Sequence, residues 1–253
     1  IYVSKPEDSR EFNLKKSKSL KQIEQKLKEK HSLIAAVIIE PIFQGAGGMR
    51  VYHPDYLKKL KKLCEKYNVL LMLDEIATGF GRTGANFAHQ LYNIKPDIMG
   101  CGKAAGGGIL PVSFVAGRKE VIDVLTPGSE GSTFGGYPLA SVVGTYSIKA
   151  LIDLKLAKNA RSMGEQLIKN MKSIKKEFPD KIKEVRGKGL RTAFEMHDHP
   201  KLDGHKVSIG LLNQGVYAKE THRTTVRLAP ALTISKNQID SLVSAIREVI
   251  KDL

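Results

Sequence analysis

Val69-Leu70-Leu71-Met72-Leu73-Asp74 is an apolar run of five residues that ends in a carboxylate. A run of this length and composition is typical of a strand buried on both faces of a parallel sheet. A similar run at 34–39 precedes it, and Pro54–Lys66 between them has apolar residues at helical spacing, with proline in the first turn. This strand–helix–strand order predicts an α/β fold with a partial, doubly wound, mostly parallel sheet.

The C-terminal part of the chain has a different pattern, which begins after a long helix predicted from residue 139. Predicted helices and strands follow at 157–178, 186–196, 207–214, 216–218, 225–228 and 236–251. We therefore predict two domains, an α/β domain over 1–150 and a smaller α+β domain over 151–253.

The chain has 253 residues and a formal net charge of +15. Its lysines lie mainly in amphipathic stretches such as 57–63, where leucines recur at helical spacing. The charge therefore predicts solvated helix faces. A nucleic-acid binder stays open as an alternative that predicts steeply salt-dependent binding, although no aromatic RNA-binding motif or zinc-finger spacing accompanies the charge.

The sequence also predicts a cytoplasmic protein without a metal site or a membrane span. No apolar run approaches the roughly 20 residues that cross a bilayer, and the start shows no signal-peptide pattern. Cys64 and Cys101 are too few for a disulfide framework or a metal cluster. Because the first residue is Ile1, we expect a fragment or a processed product.

Asp74 has a chemical partner in Lys103, which lies in the turn Cys101-Gly102-Lys103-Ala104-Ala105-Gly106 after a short apolar run. Parallel strands deliver their carboxyl ends to one edge of a sheet, where open α/β folds bind ligands. A lysine amine forms a Schiff base with the aldehyde of pyridoxal 5'-phosphate, and a carboxylate keeps the pyridine nitrogen protonated. The pair therefore predicts a pyridoxal-phosphate site.

Longer stretches around these two residues resemble the class III aminotransferases, which are fold-type I pyridoxal-phosphate enzymes. They are Leu73-Asp74-Glu75-Ile76-Ala77-Thr78-Gly79-Phe80-Gly81-Arg82-Thr83-Gly84 and, further on, Lys95-Pro96-Asp97-Ile98 with Gly102-Lys103-Ala104. The resemblance runs from about Ala35 to the C-terminus. It implies that residues 1–150 are the C-terminal portion of the family's cofactor-binding large domain.

Two branches of the family are represented in different places. Glu40-Pro41-Ile42-Phe43-Gln44-Gly45-Ala46-Gly47-Gly48-Met49 is similar to the diaminopelargonate aminotransferases of biotin synthesis. Three later stretches are similar to ornithine aminotransferases: Gly131-Ser132-Thr133-Phe134-Gly135-Gly136, Val185-Arg186-Gly187-Lys188-Gly189-Leu190, and Lys219-Glu220-Thr221-His222 with Arg227-Leu228-Ala229-Pro230. The branch assignment stays open, and we favour the ornithine type because the C-terminal half would bind the substrate carboxylate.

The resemblance implies roles for five residues. Lys103 would attach to the cofactor and move the proton, Asp74 would pair with the pyridinium nitrogen, and Ile76 would pack against the ring. Thr133 would bind the cofactor phosphate of a neighbouring subunit, and the guanidinium of Arg227 would hold the substrate carboxylate. The alternatives are a helix N-cap for Asp74, a plain turn for Thr133 and a structural ion pair for Arg227.

These roles together predict a homodimeric transferase that moves a terminal amine from a small amino donor to a 2-oxo acid. Ornithine with 2-oxoglutarate is the favoured pair, and diaminopelargonate synthesis is the alternative. A truncated paralogue that binds a partner without turnover is a third interpretation. We expect His89 and His222 to be scaffold residues.

The chain departs from the ornithine branch at several positions. Ala46 stands where that branch has a glutamate that masks the carboxylate-binding arginine, and Ala77 stands where it has a glutamine near the cofactor hydroxyl. Tyr137 replaces the family's asparagine before Pro138. The resemblance also implies a phosphate-gripping loop and a ring-stacking aromatic residue ahead of Ala35, for which this chain has little room.

Overall fold

The computed structural model describes residues 1–7, 13–200 and 202–253. Residues 8–12, part of the opening stretch predicted to be a loop, lie outside the described residues. The chain divides into two compact units. Unit 1 comprises Ile1–Ile42, Tyr52–Phe80 and Phe87–Leu154, and unit 2 comprises Phe43–Val51, Gly81–Asn86 and Lys155–Leu253.

The helices and strands of the described part are named in chain order. The α-helices are α1 (Lys18–Lys30), α2 (Pro54–Lys66), α3 (Lys119–Ile122), α4 (Pro138–Asp153), α5 (Leu156–Glu177), α6 (Gly204–Asn213) and α7 (Lys236–Lys251). The strands are β1 (Ala36–Ile39), β2 (Phe43–Gln44), β3 (Arg50–Val51), β4 (Leu70–Asp74), β5 (Ile98–Cys101), β6 (Phe114–Gly117), β7 (Ile182–Lys188), β8 (Arg191–Met196), β9 (Lys219–Thr221) and β10 (Thr225–Leu228). Short 3₁₀ helices cover His31–Leu33, Ala88–Tyr92 and Lys103–Gly106.

A four-stranded sheet in the order β1-β4-β5-β6 forms the centre of unit 1. β1 pairs with β4, and β4 with β5, in parallel, whereas β6 pairs with β5 in the antiparallel direction. The predicted α/β class with a mostly parallel sheet is therefore confirmed.

α2 covers the helix predicted from the sequence. Pro54 takes the first helical position, after the N-cap His53, and the helix ends before Asn68, whose φ of 53° is left-handed. The apolar face of α2 packs with α1 and β4 in the core of unit 1. This core contains Leu20, Leu27, Leu57, Leu60, Leu63, Leu71 and Leu73.

Asp97 fixes the start of β5 against β4. Its carboxylate accepts hydrogen bonds from the Leu71 N–H (2.8 Å), the Lys61 amine (3.0 Å) and the Arg118 guanidinium (2.8 Å). Burial raises the pKa of the Asp97 carboxyl, but the Leu71 hydrogen bond and the two cations outweigh burial and hold the pKa below its ordinary value. One side chain therefore ties α2, β4 and the end of β6 to β5.

Unit 2 contains an antiparallel sheet in the order β7-β8-β10-β9. Helices α5 and α6 pack against this sheet, and α7 packs against both helices. The unit has its own core, which includes Leu167, Met171, Phe194, Val226, Ile239 and Ile246. The smaller α+β fold predicted for the C-terminal part is the architecture observed.

Unit 2 differs from the sequence prediction in several details. The segments 43–51 and 81–86 group with it, although the predicted division assigned them to the first domain. Residues 216–218 form no strand, because β9 begins at Lys219. Across the described ranges of both units, no helix is long and apolar enough to span a membrane. No group of three or more His, Cys, Asp or Glu side chains in those ranges is arranged to hold a metal.

Candidate active site

β4 and β5 end side by side at one edge of the unit 1 sheet. Their register pairs Asp74, the last residue of β4, with Gly100, and the Glu75 N–H donates to the Gly100 carbonyl (2.9 Å). Lys103 opens the short 3₁₀ helix that follows β5. The two strands thus bring Asp74 and Lys103 to the same edge of the sheet.

The Asp74 carboxylate is half-buried, and its Oδ1 atom accepts the Ile76 N–H at 3.0 Å. Its other oxygen has no hydrogen-bond donor among the described residues. The residues after Asp74 form turns and not an α-helix, so the N-cap alternative does not describe this site. The hydrogen bond to one oxygen holds the side chain in place, and the other oxygen can accept a hydrogen bond from a ligand.

The backbone of Lys103 is left-handed, with φ of 48°, and the residue is exposed. A residue with a Cβ atom pays about 1 kcal/mol or more for this conformation, which glycine adopts freely. Such strain is concentrated at functional sites, where a particular side chain is needed. The turn is also tightly packed, since a Cβ atom on Gly107 would lie 2.5 Å from the Ser147 hydroxyl of α4.

Ile76 lies next to the chain that leads into Lys103. A Cβ atom on Gly102 would lie 3.6 Å from Ile76 Cγ2, which is ordinary van der Waals contact. The Ile76 side chain is half-buried and so keeps part of its surface free. Three of the five predicted residues, Asp74, Ile76 and Lys103, therefore cluster at this edge.

The Cys101 thiol at the end of β5 is influenced by two nearby carboxylates. Burial, followed by the negative charges of Glu75 and Asp74, raises the pKa of Cys101 to about 11. The field at the end of β5 thus favours protonated and cationic groups. A protonated pyridine ring is a group of this kind.

Glu75 is a supporting residue that the sequence analysis did not single out. Its carboxylate is fully buried and accepts hydrogen bonds from the Thr78 hydroxyl (2.6 Å), the Ala88 N–H (3.0 Å), and the backbone and ring of His89 (2.9 and 3.0 Å). It anchors the turn after β4 and thereby the backbone of Asp74. His89 is a scaffold residue, as expected. Its direction could have been predicted from the sequence, because side chains alternate along a strand and Glu75 therefore points away from Asp74.

Thr133 lies in the exposed loop between α3 and α4. A turn closes this loop through a hydrogen bond from Gly135 N–H to the Ser132 carbonyl (2.9 Å), and Gly136 has a φ of 68°. The backbone around Thr133 thus forms a turn, as the alternative interpretation predicted, and the residue is exposed. Its phosphate-binding role stays a prediction.

Arg227 lies in unit 2, on β10. It is half-buried, and its guanidinium has no ion-pair partner in the described part of the chain. The structural ion pair proposed as its alternative role is formed instead by Arg186, which donates to Glu184 (2.7 Å), Glu195 (2.6 Å) and the Gly48 carbonyl (2.7 Å). Arg227 is therefore free to bind an anion.

The β2–β3 hairpin of unit 2 brings Ala46 to the same sheet. The Ala46 carbonyl accepts the Thr221 hydroxyl at 3.5 Å, and Arg186 also donates to the Met49 carbonyl (3.0 Å). The loop at the tip of the hairpin, 44–48, contains no acidic residue. It therefore offers Arg227 no carboxylate.

Arg82 has a structural role within unit 2. Its guanidinium donates to the carbonyls of Leu190 (3.4 Å) and Pro230 (2.5 Å). Burial and the nearby Arg191 lower its pKa to about 10. It holds the segment 81–86 to the rest of the unit.

The groups at the edge of the unit 1 sheet fit pyridoxal 5'-phosphate chemically. Asp74 has a free oxygen for a ring N–H, Lys103 has an exposed primary amine for an aldehyde, and Ile76 has a half-buried apolar surface for a flat ring. These three residues would hold the reactive end of the cofactor.

The chain was compared with known proteins. The profile of the family described as Aminotransferase class-III matches residues 1–250. The mitochondrial ornithine aminotransferase of Arabidopsis thaliana is 41% identical over 231 residues, which are 90% of this chain and 48% of that protein. The ornithine aminotransferase of Staphylococcus carnosus is 43% identical over 215 residues, 85% of this chain and 52% of that protein.

Solved structures agree with these relatives. The ornithine aminotransferase of Toxoplasma gondii matches with a TM-score of 0.87 and 37% identity, covering 92% of this chain and 54% of that one. The acetylornithine aminotransferase of Elizabethkingia anophelis matches with a TM-score of 0.87 and 35% identity, covering 94% of this chain and 61% of that one. The chain thus spans about half the length of the curated relatives it matches.

Proposed function

Because this chain belongs to the class III aminotransferase family, we propose that it takes part in pyridoxal-phosphate-dependent transamination of a terminal amine to a 2-oxo acid. The single observation that carries the proposal is the strained Lys103, whose exposed amine lies at the sheet edge where Asp74 ends the neighbouring strand. When bound, the cofactor supplies an aldehyde and an electron-withdrawing ring.

Each residue of the site has a separate role in this proposal. The Lys103 Nζ atom would hold the aldehyde of the cofactor and, when free, would move a proton at the amine-bearing carbon of the substrate. Asp74 would accept the ring N–H and keep that nitrogen protonated, and the hydrogen bond from the Ile76 N–H fixes the orientation of the Asp74 carboxylate. Glu75 holds the turn that positions Asp74. Arg227 would orient the substrate through its carboxylate.

The test is borohydride reduction of the chain mixed with pyridoxal 5'-phosphate, followed by peptide mapping. We expect one pyridoxyl label, on Lys103, and no label at that peptide in Lys103→Ala. Lys95→Ala is the matched control, because Lys95 is an exposed lysine ahead of the amino end of the same strand. A label spread evenly over surface lysines, or an unlabelled Lys103, would refute the proposal and favour a paralogue without turnover.

For the amino donor we propose an ornithine-type substrate, with 2-oxoglutarate as the acceptor. Relatives named as ornithine and acetylornithine aminotransferases support this choice, as does an Arg227 guanidinium free to take a carboxylate. Ornithine, S-adenosylmethionine and 4-aminobutyrate, added separately to the cofactor-loaded protein, should differ in the rate at which they change the cofactor spectrum. If the ornithine-type assignment is correct, ornithine changes the cofactor spectrum fastest.

A diaminopelargonate-type donor is the second candidate, and one observation favours it. Ala46 places no carboxylate at the hairpin tip, so Arg227 has nothing to mask it. In the ornithine branch such masking serves one half-reaction. A faster spectral change with S-adenosylmethionine than with ornithine would select this candidate.

We also propose that the active form is a homodimer in which Thr133 serves the cofactor phosphate of the partner subunit. Its exposed hydroxyl supports this, as do large exposed apolar side chains on the adjoining helix α4, namely Leu139, Val142 and Tyr146. Sedimentation equilibrium checks the stoichiometry. A cytoplasmic location stays a prediction.

A further inference from the structure

Four residues form one row across the sheet of unit 2. The strand register places Arg186 opposite Ala193, Ala193 opposite Arg227, and Arg227 opposite Lys219. Directly opposed residues of antiparallel strands share a face and have Cβ atoms about 5 Å apart. Arg227 and Lys219 are therefore neighbours on the same face.

The residues next to this row show which face it lies on. Val226 is fully buried in the core of unit 2, and Glu220 opposite it pairs with His205 of α6 (3.4 Å). Side chains alternate along a strand, so Arg227 and Lys219 point to the opposite face. Arg186 confirms this assignment, because it reaches the Thr225 hydroxyl (3.4 Å) two residues before Arg227.

The charges on this face are unequally compensated. Arg186 binds Glu184 and Glu195, and Glu195 is also paired with Lys183 (2.9 Å). Arg227 and Lys219 have neither an ion pair nor a side-chain hydrogen bond among the described residues. Two cations directly opposed in a sheet repel each other, and a bound anion removes that repulsion.

The residues that flank the two cations have small side chains. Ala193 separates Arg227 from the occupied Arg186, and the hairpin tip over this face is made of Gly45, Ala46 and Gly47, with a backbone contact from Ala46 to Thr221. No acidic side chain in this tip competes for the cations.

We propose that Lys219 is a specificity-determining residue that binds the substrate carboxylate together with Arg227. The guanidinium takes the carboxylate as a fork, and the ammonium adds a second positive charge from the adjacent strand. The ligand class is an aliphatic mono- or dicarboxylate. This inference rests on the proposed function, because it assigns the carboxylate of the amino donor or 2-oxo acid to this face.

The test is calorimetric titration of the full chain with glutarate, using uncharged glutaramide as the control probe. We expect Lys219→Gln to weaken glutarate binding about fivefold, the scale of an exposed charge pair, and Arg227→Met to weaken it more. Lys206→Gln is the matched control, since Lys206 is an exposed lysine on α6, on the other side of the sheet. Lys219→Arg should retain binding.

A stability measurement separates lost binding from misfolding. Without ligand, Lys219→Gln should unfold at a urea concentration no lower than the unmodified chain, because a repulsion has been removed. Equal glutarate binding by Lys219→Gln and Lys206→Gln overturns the proposal. If Arg227→Met weakens binding in that case, the carboxylate role of Arg227 survives alone. Absence of glutarate binding by the unmodified chain overturns the carboxylate site, while borohydride labelling of Lys103 would still decide the cofactor chemistry separately.

Discussion

Asp97→Asn tests whether the register of β4 and β5, which brings Asp74 and Lys103 together, depends on one buried carboxylate. The Asp97 side chain is only 4% exposed, and its Oδ2 atom accepts both the Leu71 N–H and the Lys61 amine. An asparagine has one acceptor oxygen and two N–H donors, so it cannot satisfy all the donors that now converge there.

The expected loss follows from these contacts. Replacing an ionised acceptor by a neutral one weakens the buried hydrogen bonds by about 1 kcal/mol. The Lys61 amine, 17% exposed, loses its paired charge, which costs about 1–2 kcal/mol more because a largely buried cation is left uncompensated. The Arg118 guanidinium is half-exposed and turns to water, so we assign it no contribution. The total is about 2–3 kcal/mol.

Urea unfolding followed by far-UV circular dichroism measures this loss. Asp123→Asn is the matched control, because Asp123 is an exposed partner of Lys119 in α3 and its loss should change stability little. If Asp97→Asn were no less stable than the control, the carboxylate would not hold the two strands together.

The same variant predicts a pH dependence of known sign. The folded-state pKa of Asp97 lies below its ordinary value of 3.8, so its stabilising effect is complete above the unfolded-state pKa and is lost as the pH falls through the folded-state pKa. The difference between the unmodified chain and Asp97→Asn should therefore be constant near neutral pH and should shrink below about pH 4. A difference that grew on acidification would contradict this sign.

Two further predictions concern buried groups. Arg186→Met removes a guanidinium bonded to the Gly48 and Met49 carbonyls and to two carboxylates, so the free energy of unfolding should fall by about 3 kcal/mol; an unchanged urea midpoint would rule this out. Burial raises the pKa of Cys64 and Cys101 to about 11, so about one thiol in 10³ is ionised near pH 8. Both should react with iodoacetamide far more slowly folded than in urea, and equal rates would show that burial does not protect them.

The central elements of unit 1 were predictable because each depends on local pattern. α2 has its proline at the first position and its leucines at helical spacing, and β4 is a continuous apolar run. The antiparallel direction of β6 was not predictable, because a strand of four residues carries no signal about the strand it pairs with.

The grouping of segments into the two units could not be predicted from local sequence patterns either. The segment 43–51 groups with residues more than a hundred positions away because the Arg186 guanidinium binds its carbonyls. No spacing rule connects two sequence positions so far apart. In the site, Asp74 and Lys103 followed from strand ends and Ile76 from the family resemblance. The Glu75 contacts needed the position of the helix at Ala88–Tyr92, which only tertiary packing fixes.

Two sets of charged residues in this chain differ in burial and in partners, and the difference bears on function. Glu75, Asp97 and Arg186 are buried and each binds several partners, as a charge must when it is removed from water for structural reasons. Lys103 is exposed and Arg227 is half-buried, and neither has an ion-pair partner within the described residues. Arg227 lies directly opposite Lys219, so an anion that arrives from solution would remove the repulsion between these two cations. Lys103 keeps a long side chain in a backbone conformation that glycine adopts more freely. A phosphorylated aldehyde for Lys103 and a carboxylate for Arg227 are the partners that the local chemistry fits.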